Sequence, residues 1–372
     1  MPYGGSGIQG RIWQRARKIA KKVLQRRVGC DIIRLILMGV LPVLEDVMKL
    51  SFKQLASIAH GVDRVEKVAD GVQFFRMTEA QKAYYLHYNN IEKANKTDST
   101  SGVKLAFYTD SKSVKFSARL TEGSSRLYAY FDVCENGAII AHGGSDRENE
   151  AQMEVKLLAG ESFVEIYFPW SKGVVLTSFE LDDGATLTPY ARPKTLVAYG
   201  DSITHGYDAI YPSLSYVHRL GNLLDADIYN RGIGGDTFAP ELAKRDNIEN
   251  PDYVTIAYGT NDWSMCPMEK FEADCRAFFK IIHERYPDAH VIAIAPIWRG
   301  DSERETAMAR PISDVYKLFC EYTKDYDHFT VVDGWNLIPH LPAFFHDQIL
   351  HPNDQGFSLY AENLYKAMRD KI

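Results

Sequence analysis

The chain has 372 residues, of which 45% are hydrophobic and 25% charged, and its formal net charge is −6. That length exceeds what one hydrophobic core usually organises, so two domains, or one domain with a long appendage, are expected. The ordinary composition and mild acidity give no reason to expect a nucleic-acid partner, and five cysteines without C-x-x-C or finger spacing argue against a disulfide framework or structural zinc.

Residues 1–47 read as a basic and apolar extension. Arg11, Arg15, Arg17, Lys18, Lys21, Lys22, Arg26 and Arg27 precede an apolar stretch at residues 32–44. Arg34 interrupts that stretch, Glu45 and Asp46 follow it, and no small-x-small cleavage site appears, so it matches a signal peptide only in outline. It is also too short to span a bilayer, and no membrane partner is expected. A surface amphipathic helix and an accidental extension ahead of a start at Met48 are the other readings. The last of these makes the protein cytoplasmic, as the unpaired cysteines also suggest; a signal would make it secreted.

An all-β domain is expected over residues 70–190. Residues 103–108, 114–120, 127–133, 153–157 and 163–168 are rich in strand formers and follow a period of two. Asn136-Gly137, between two apolar runs, is a hairpin signal, because a type I′ turn needs positive φ at both central residues. Short strands at this spacing, with no helical period between them, predict a jelly-roll-like antiparallel sandwich. It would serve either as a structural cap or as an accessory carbohydrate-binding surface.

The pattern changes in the C-terminal part, residues 195–372. Strand-length apolar runs at 195–199, 228–230, 253–258, 291–295 and 329–332 alternate with helix-like segments at 215–224, 268–285, 308–323 and 355–369. Such alternation predicts right-handed crossovers and a parallel sheet covered on both faces. Ligands of such sheets lie beyond the carboxyl ends of the strands, so the residues that follow each strand should carry the chemistry.

Four segments meet that expectation. Gly200-Asp201-Ser202-Ile203-Thr204-His205-Gly206 follows the first strand, Asn230-Arg231-Gly232-Ile233-Gly234-Gly235-Asp236 the second, and Gly259-Thr260-Asn261-Asp262-Trp263 the third; Asp347-Gln348-Ile349-Leu350-His351-Pro352 stands near the C-terminus. A lone serine after a glycine is by default a helix cap, but a serine hydroxyl with an imidazole in reach is an activated nucleophile. Glycine and asparagine supply neutral N–H donors for an oxyanion. His205, His218, His283 and His346 lack H-x-x-x-H or H-E-x-x-H partners, so no metal is expected. Trp263 is a candidate substrate wall or core residue, and Arg299, after the fourth strand, a candidate substrate contact or loop anchor.

In order and spacing these blocks resemble the SGNH (GDSL) hydrolase superfamily. The resemblance implies a flavodoxin-like three-layer α/β domain with a five-stranded parallel sheet, Ser202 as nucleophile and His351 as base. It implies the N–H groups of Ser202 and Gly235 and the Asn261 amide as oxyanion donors. The superfamily places its acid three residues before the histidine, whereas Asp347 stands four before His351. Either one residue is bulged out and Asp347 still orients the ring, or a main-chain carbonyl does so.

A β-sandwich ahead of such a domain, with Gly102–Ser111 in it and the A-Y-G-T-N-D-W and L-H-P-N-D blocks behind, resembles carbohydrate esterase family 2 over residues 70–372. That resemblance implies removal of O-acetyl groups from xylo- or manno-oligosaccharides without metal or organic cofactor. A lipase, thioesterase or other acylhydrolase would use the same residues, although no apolar lid interrupts the blocks. A non-catalytic carbohydrate-binding protein is the remaining class, and it would need no nucleophile paired with a base.

Overall fold

The computed structural model describes residues 47–158 and 160–371; residues 1–46, where the N-terminal extension was expected, lie outside them. Strands β1 (Val47–Lys49), β2 (Ala59–His60), β3 (Arg64–Val68), β4 (Gly71–Phe75), β5 (Lys104–Thr109), β6 (Ser113–Thr121), β7 (Ala129–Glu135), β8 (Ala138–Ser145), β9 (Glu150–Lys156), β10 (Ser162–Tyr167), β11 (Gly173–Asp182) and β12 (Thr188–Pro189) form two six-stranded antiparallel sheets. One runs β3-β4-β11-β6-β9 with β1 on β11, the other β12-β5-β10-β7-β8 with β2 on β5.

Strands β6 and β9 of the first sheet alternate strictly between buried and more exposed positions, so that sheet turns one apolar face inward, whereas β5, β7 and β10 of the second are buried along most of their length. Phe116 and Phe179 of the first sheet meet Phe131 and Phe107 of the second edge to face, with centroids 5.2 Å and 6.1 Å apart. The expected hairpin joins β7 to β8, with Asn136 at φ 52° and Gly137 at φ 83° and Glu135 paired with Ala138. Antiparallel structure already begins at Val47, which pairs with Asp182, and not near residue 70. Strands β1 and β2, of three and two residues, are too short to show a period.

Three helices join this region: α1 (Phe52–Ser57), α2 (Glu79–His87) and α3 (Ile91–Thr97). A capping box starts α2: the Thr78 hydroxyl accepts from the Gln81 N–H at 3.0 Å, and the Gln81 side chain accepts from the Thr78 N–H at 3.1 Å.

The remainder is a parallel five-stranded sheet of β13 (Lys194–Gly200), β14 (Ala226–Asn230), β15 (Tyr253–Ala257), β16 (His290–Ile294) and β17 (Phe329–Val332), in the order β14-β13-β15-β16-β17. Its helices are α4 (Ser202–His205), α5 (Tyr216–Leu224), α6 (Pro240–Lys244), α7 (Thr260–Met265), α8 (Met268–Arg285), α9 (Asp314–Thr323) and α10 (Asp354–Met368). Successive side chains of β13 feed opposite layers. Leu196 and Ala198 pack with Leu220 of α5 and Phe357 and Leu364 of α10, whereas Val197 and Tyr199 pack with Phe278 of α8 and Phe319 of α9. This is the doubly covered α/β arrangement that the sequence predicts. Among the described residues no helix is long and apolar enough to cross a membrane.

Buried polar groups tie the two regions together. Arg76, after β4, donates to the carbonyls of Asn230 at 2.7 Å, Lys96 at 2.8 Å and Ser99 at 3.0 Å. Beside it Arg231 is paired with Asp246 through two bonds of 2.8 Å and 2.9 Å and donates to the Arg76 carbonyl. Main chain that leaves β14 is thereby fixed before it reaches the glycines.

Candidate active site

Ser202 opens α4 at the carboxyl end of β13, where the first N–H groups of a helix have no intrahelical partner. Asp201 caps the turn, its Oδ1 accepting from the Ile203 N–H at 2.9 Å. Gly200 has to be small: a Cβ there would lie 2.1 Å from Thr204 Oγ1 and 2.8 Å from the Ala257 carbonyl oxygen.

After β14 the chain is pinned to this turn. Asn230 donates from Nδ2 to the Thr204 carbonyl at 2.7 Å and accepts on Oδ1 from the Gly232 N–H at 2.8 Å. His205 continues the link, because its Nδ1 accepts from the Gly234 N–H at 3.2 Å while Nε2 faces Ser99 Oγ at 2.9 Å and the Trp170 carbonyl at 3.0 Å. Burial holds this imidazole well below the usual histidine range, so the ring stays neutral with Nε2 as its donor. Gly235 then takes φ 78°, a left-handed conformation, and is exposed with open space on its Cβ side. Asn261, in the first turn of α7, donates from Nδ2 to the Asp236 carbonyl at 2.8 Å. One amide hydrogen thus fixes the side chain against the Gly235 loop, and a second remains to meet an oxyanion.

His351 arrives from the loop that precedes α10. Its Nε2 accepts from Ser202 Oγ at 2.9 Å, and its Nδ1–H donates to Asp347 Oδ2 at 2.9 Å. Gln348 adopts φ 63°, and this left-handed residue takes up the extra position in the D-x-x-x-H spacing. The other Asp347 oxygen accepts from the N–H groups of Ile349, Leu350 and His351 at 3.0, 2.7 and 3.1 Å. Burial alone would raise the Asp347 carboxyl, but the bonds from His351 and from the Leu350 and Ile349 main chain outweigh it and hold the group well below the usual carboxylate range. These bonds favour the ionised form of Asp347, which can balance a positive charge on the ring.

Two further carboxyls behave in the opposite way. Burial pushes Asp201 up to about 7 against the Ile203 N–H, and burial likewise pushes Asp262 up to about 7 against the N–H groups of Phe238 and Gly259. Both brace the loops and neither touches His351. Altogether the chain ends provide a hydroxyl, an adjoining base with an oriented tautomer, and neutral donors nearby, which is the equipment for acyl transfer.

Comparison with known proteins agrees with this chemistry. Residues 198–359 match the GDSL-like Lipase/Acylhydrolase family. That stretch is a GDSL-like acylhydrolase domain. No curated protein matches the chain. Among solved structures, the salicylyl-acyltransferase SsfX3 from a tetracycline biosynthetic pathway is similar with a TM-score of 0.73 at 20% identity, over 89% of this chain and 98% of its own. A family two carbohydrate esterase from Cellvibrio japonicus aligns with a TM-score of 0.60 at 14% identity, over 87% and 98%. The acetyl xylan esterase Est2A from the rumen bacterium Butyrivibrio proteoclasticus aligns with 0.57 at 14% identity, over 88% and 98%. At these identities the likeness establishes the fold, a β-rich region followed by the GDSL-like domain.

Within the GDSL-like domain two expected substrate contacts are turned elsewhere. Trp263 is 0% exposed; α7 directs its ring into the core, where Nε1 donates to the Arg310 carbonyl at 2.8 Å. Arg299 is buried, bonded to Asp301 at 2.5 Å and 3.1 Å and to Thr260 Oγ1 at 3.1 Å, and stacked over Trp263 at 5.1 Å. It anchors the loop after β16, the other role its position allowed.

Other residues at the site escaped the sequence reading. Asp208 approaches His351 Nδ1 at 3.4 Å and carries Arg126 of the sandwich on both its oxygens. The Tyr207 ring stacks on His351 with centroids 5.6 Å apart. Tyr85 and Lys93 donate to the two oxygens of Asp236 at 2.6 Å and 2.8 Å. Asp208, Asp347 and His351 are close enough together to suggest a cation site. Arg126 is already seated on both Asp208 oxygens and the Nδ1–H bond occupies Asp347, so these ligand atoms have partners within the protein.

Proposed function

We propose that this protein is a serine esterase that removes O-acetyl groups from carbohydrates through an acyl-enzyme on Ser202. The observation that carries the reading is the continuous relay from Ser202 Oγ through His351 to Asp347, with both links at 2.9 Å. Oγ attacks the ester carbonyl carbon while its proton moves to His351 Nε2; the oxyanion is met by the N–H groups of Ser202 and Gly235 and by the Asn261 amide. His351 returns the proton to the departing alcohol, and a water then repeats the sequence on the acyl-enzyme and releases acetate.

Support for a sugar comes from the flank of the site and from the fold. Tyr128 donates to Asp208 at 3.3 Å and stacks on Tyr130 at 5.5 Å; Tyr130 lies 4.8 Å from His142, which lies 4.1 Å from Tyr211. These half-buried rings form a strip that leads away from the catalytic histidine along β7 and β8, apolar faces with polar tips that suit a chain of sugar rings. Two of the aligned structures are named as carbohydrate or xylan esterases.

Acetate release from acetylated xylan, acetylated mannan and acetyl, butyryl and octanoyl aryl esters tests the proposal. Expected are turnover of the acetylated glycans and of the acetyl ester, and a loss on the order of 10⁴-fold or more in Ser202→Ala. A preference for the octanoyl ester, with no acetate released from either glycan, would replace the carbohydrate reading with a lipid one.

A further inference from the structure

His351 is served by two carboxylates of unlike character. Asp347 belongs to the histidine's own loop, is 33% exposed, and is fixed by main-chain N–H groups. Asp208 follows the nucleophile helix, sits in the left-handed region at φ 69°, and is 1% exposed. Its Oδ2 lies 3.4 Å from His351 Nδ1, within ion-pair range, while the ring N–H itself is bonded to Asp347. Arg126 caps both Asp208 oxygens, Nε on Oδ1 at 2.7 Å and Nη2 on Oδ2 at 2.8 Å, and the Tyr128 hydroxyl adds a bond to Oδ1. Arg126 and Tyr128 lie in the segment that enters β7, so this clamp comes from the antiparallel region.

We propose that Asp208 and Arg126 are positioning residues for His351: Asp208 sets a second carboxylate against the Nδ1 side of the ring, and Arg126, reaching across from the sandwich, sets how much of that carboxylate's charge the ring experiences. The inference rests on His351 acting as the base. A bare buried carboxylate at this distance would favour the protonated ring, which cannot accept the Ser202 proton. A guanidinium held by a fork of two bonds cancels most of that charge while leaving one Oδ2 lone pair toward the ring. Lysine, a point charge with no fork, could supply the charge without the geometry.

The groups that face the ring are few. Asp347 comes from its own loop, Asp208 and the stacked Tyr207 from the segment after α4, and Arg126 and Tyr128 stand behind Asp208 from the sandwich. Asp354, at the start of α10, is occupied by the N–H groups of Ile210 and Tyr211 at 3.0 Å and 3.3 Å. Arg126 is thus the cation that offsets these carboxylates, and the side chain whose removal should be felt at the ring.

The test uses the full chain with Arg126→Gln, Arg126→Lys, Asp208→Asn and the Arg126→Gln/Asp208→Asn pair. Two readouts are compared: the acidic limb of kcat/KM for an aryl acetate between pH 5 and 9, and the titration midpoint of the His351 ring by NMR. The second readout needs no turnover, so it judges the clamp even if no ester is hydrolysed; a lack of Ser202-dependent turnover would instead count against the esterase reading. Arg126→Gln should move both upward by about half to one pH unit, equivalent to a three- to tenfold loss of kcat/KM below the limb. Asp208→Asn, which leaves Arg126 uncompensated, should move both downward, and the double variant should return close to the parent. Arg126→Lys should keep the midpoint near the parent's and lower kcat. Single variants with unmoved midpoints, or shifts of the same sign, would overturn the proposal and leave Arg126 as a tie between domains. A variant that fails to fold is replaced by Tyr128→Phe, which removes one bond to Asp208 and should shift the midpoint upward by a smaller amount; no shift counts against the proposal.

Discussion

Ser202 and Gly235 on one side of the site, and Asn261 and His351 on the other, are held by different parts of the molecule. The first pair sits on loops gripped from the antiparallel region: Ser101 donates to the His205 carbonyl at 2.6 Å, Arg76 to the Asn230 carbonyl at 2.7 Å, and Tyr85 to Asp236 at 2.6 Å. The direct bonds of the second pair lie within the GDSL-like domain, Asn261 to the Asp236 carbonyl and His351 to the turn that Asp347 caps, and the antiparallel region reaches His351 only through Arg126 on Asp208. A region that offers none of the proposed reacting atoms can still set the geometry of the loops that carry them. It does so with buried, fully partnered polar bonds, which tolerate little displacement.

That division can be broken from either side. The largest effect is expected at Asn261, the side chain proposed to meet the oxyanion directly. Asn261→Ala should lower kcat for an aryl acetate by 10²- to 10³-fold, to order of magnitude, with little change in KM. Steady-state kinetics that showed only a raised KM would move the residue from transition-state stabilisation to ground-state binding.

An intermediate effect is expected at Tyr85, which acts on the glycine loop from the sandwich side. Tyr85→Phe removes a bond to a buried charged group and should cost about 1.5–3 kcal/mol of stability. Denaturant titration reads that loss, and kcat should fall several-fold as the Gly235 loop slackens. Full stability with full activity would show that the sandwich does not grip this loop.

The last effect is read in the pH dependence of stability and touches turnover least. Asp201 keeps its proton to about 7 in the folded chain because burial disfavours the charge, whereas an unfolded aspartate releases it near 3.9. The folded state therefore holds more protons between roughly pH 4 and 7, and stability falls as pH rises through that window. Asp201→Asn should make the fall in Tm over that window shallower without abolishing it, since Asp262 is shifted the same way. An unchanged slope would mean that Asp201 is ionised in the native protein.

What the sequence made legible follows from locality. Strands β13 to β17 announce themselves as apolar runs, and Ser202, Gly235 and Asn261 stand where such runs end. The β7–β8 hairpin is written in two residues with obligatory positive φ. Asp208 and Arg126 carry no local signature, because the bond joins residues 82 positions apart in different regions. The place of Trp263 after the third block suits a substrate wall as well as a core residue, but which way α7 turns its ring is a matter of packing. Arg299 did have a local cue in Asp301, two residues on, to which it is paired. The helices α2 and α3 are missed because each buries few apolar residues, such as Tyr85 and Ala94, and tertiary hydrogen bonds such as Gln81 to the Leu242 carbonyl at 3.1 Å complete their docking.

The left-handed Gln348 has a consequence for how such sites can change. With Gln348 in that conformation, an acid four residues before the histidine still sets its oxygen 2.9 Å from the imidazole. A glycine at that position would fit without strain and a β-branched residue would not. Sequence length in this loop is therefore a soft variable and Cartesian placement a hard one.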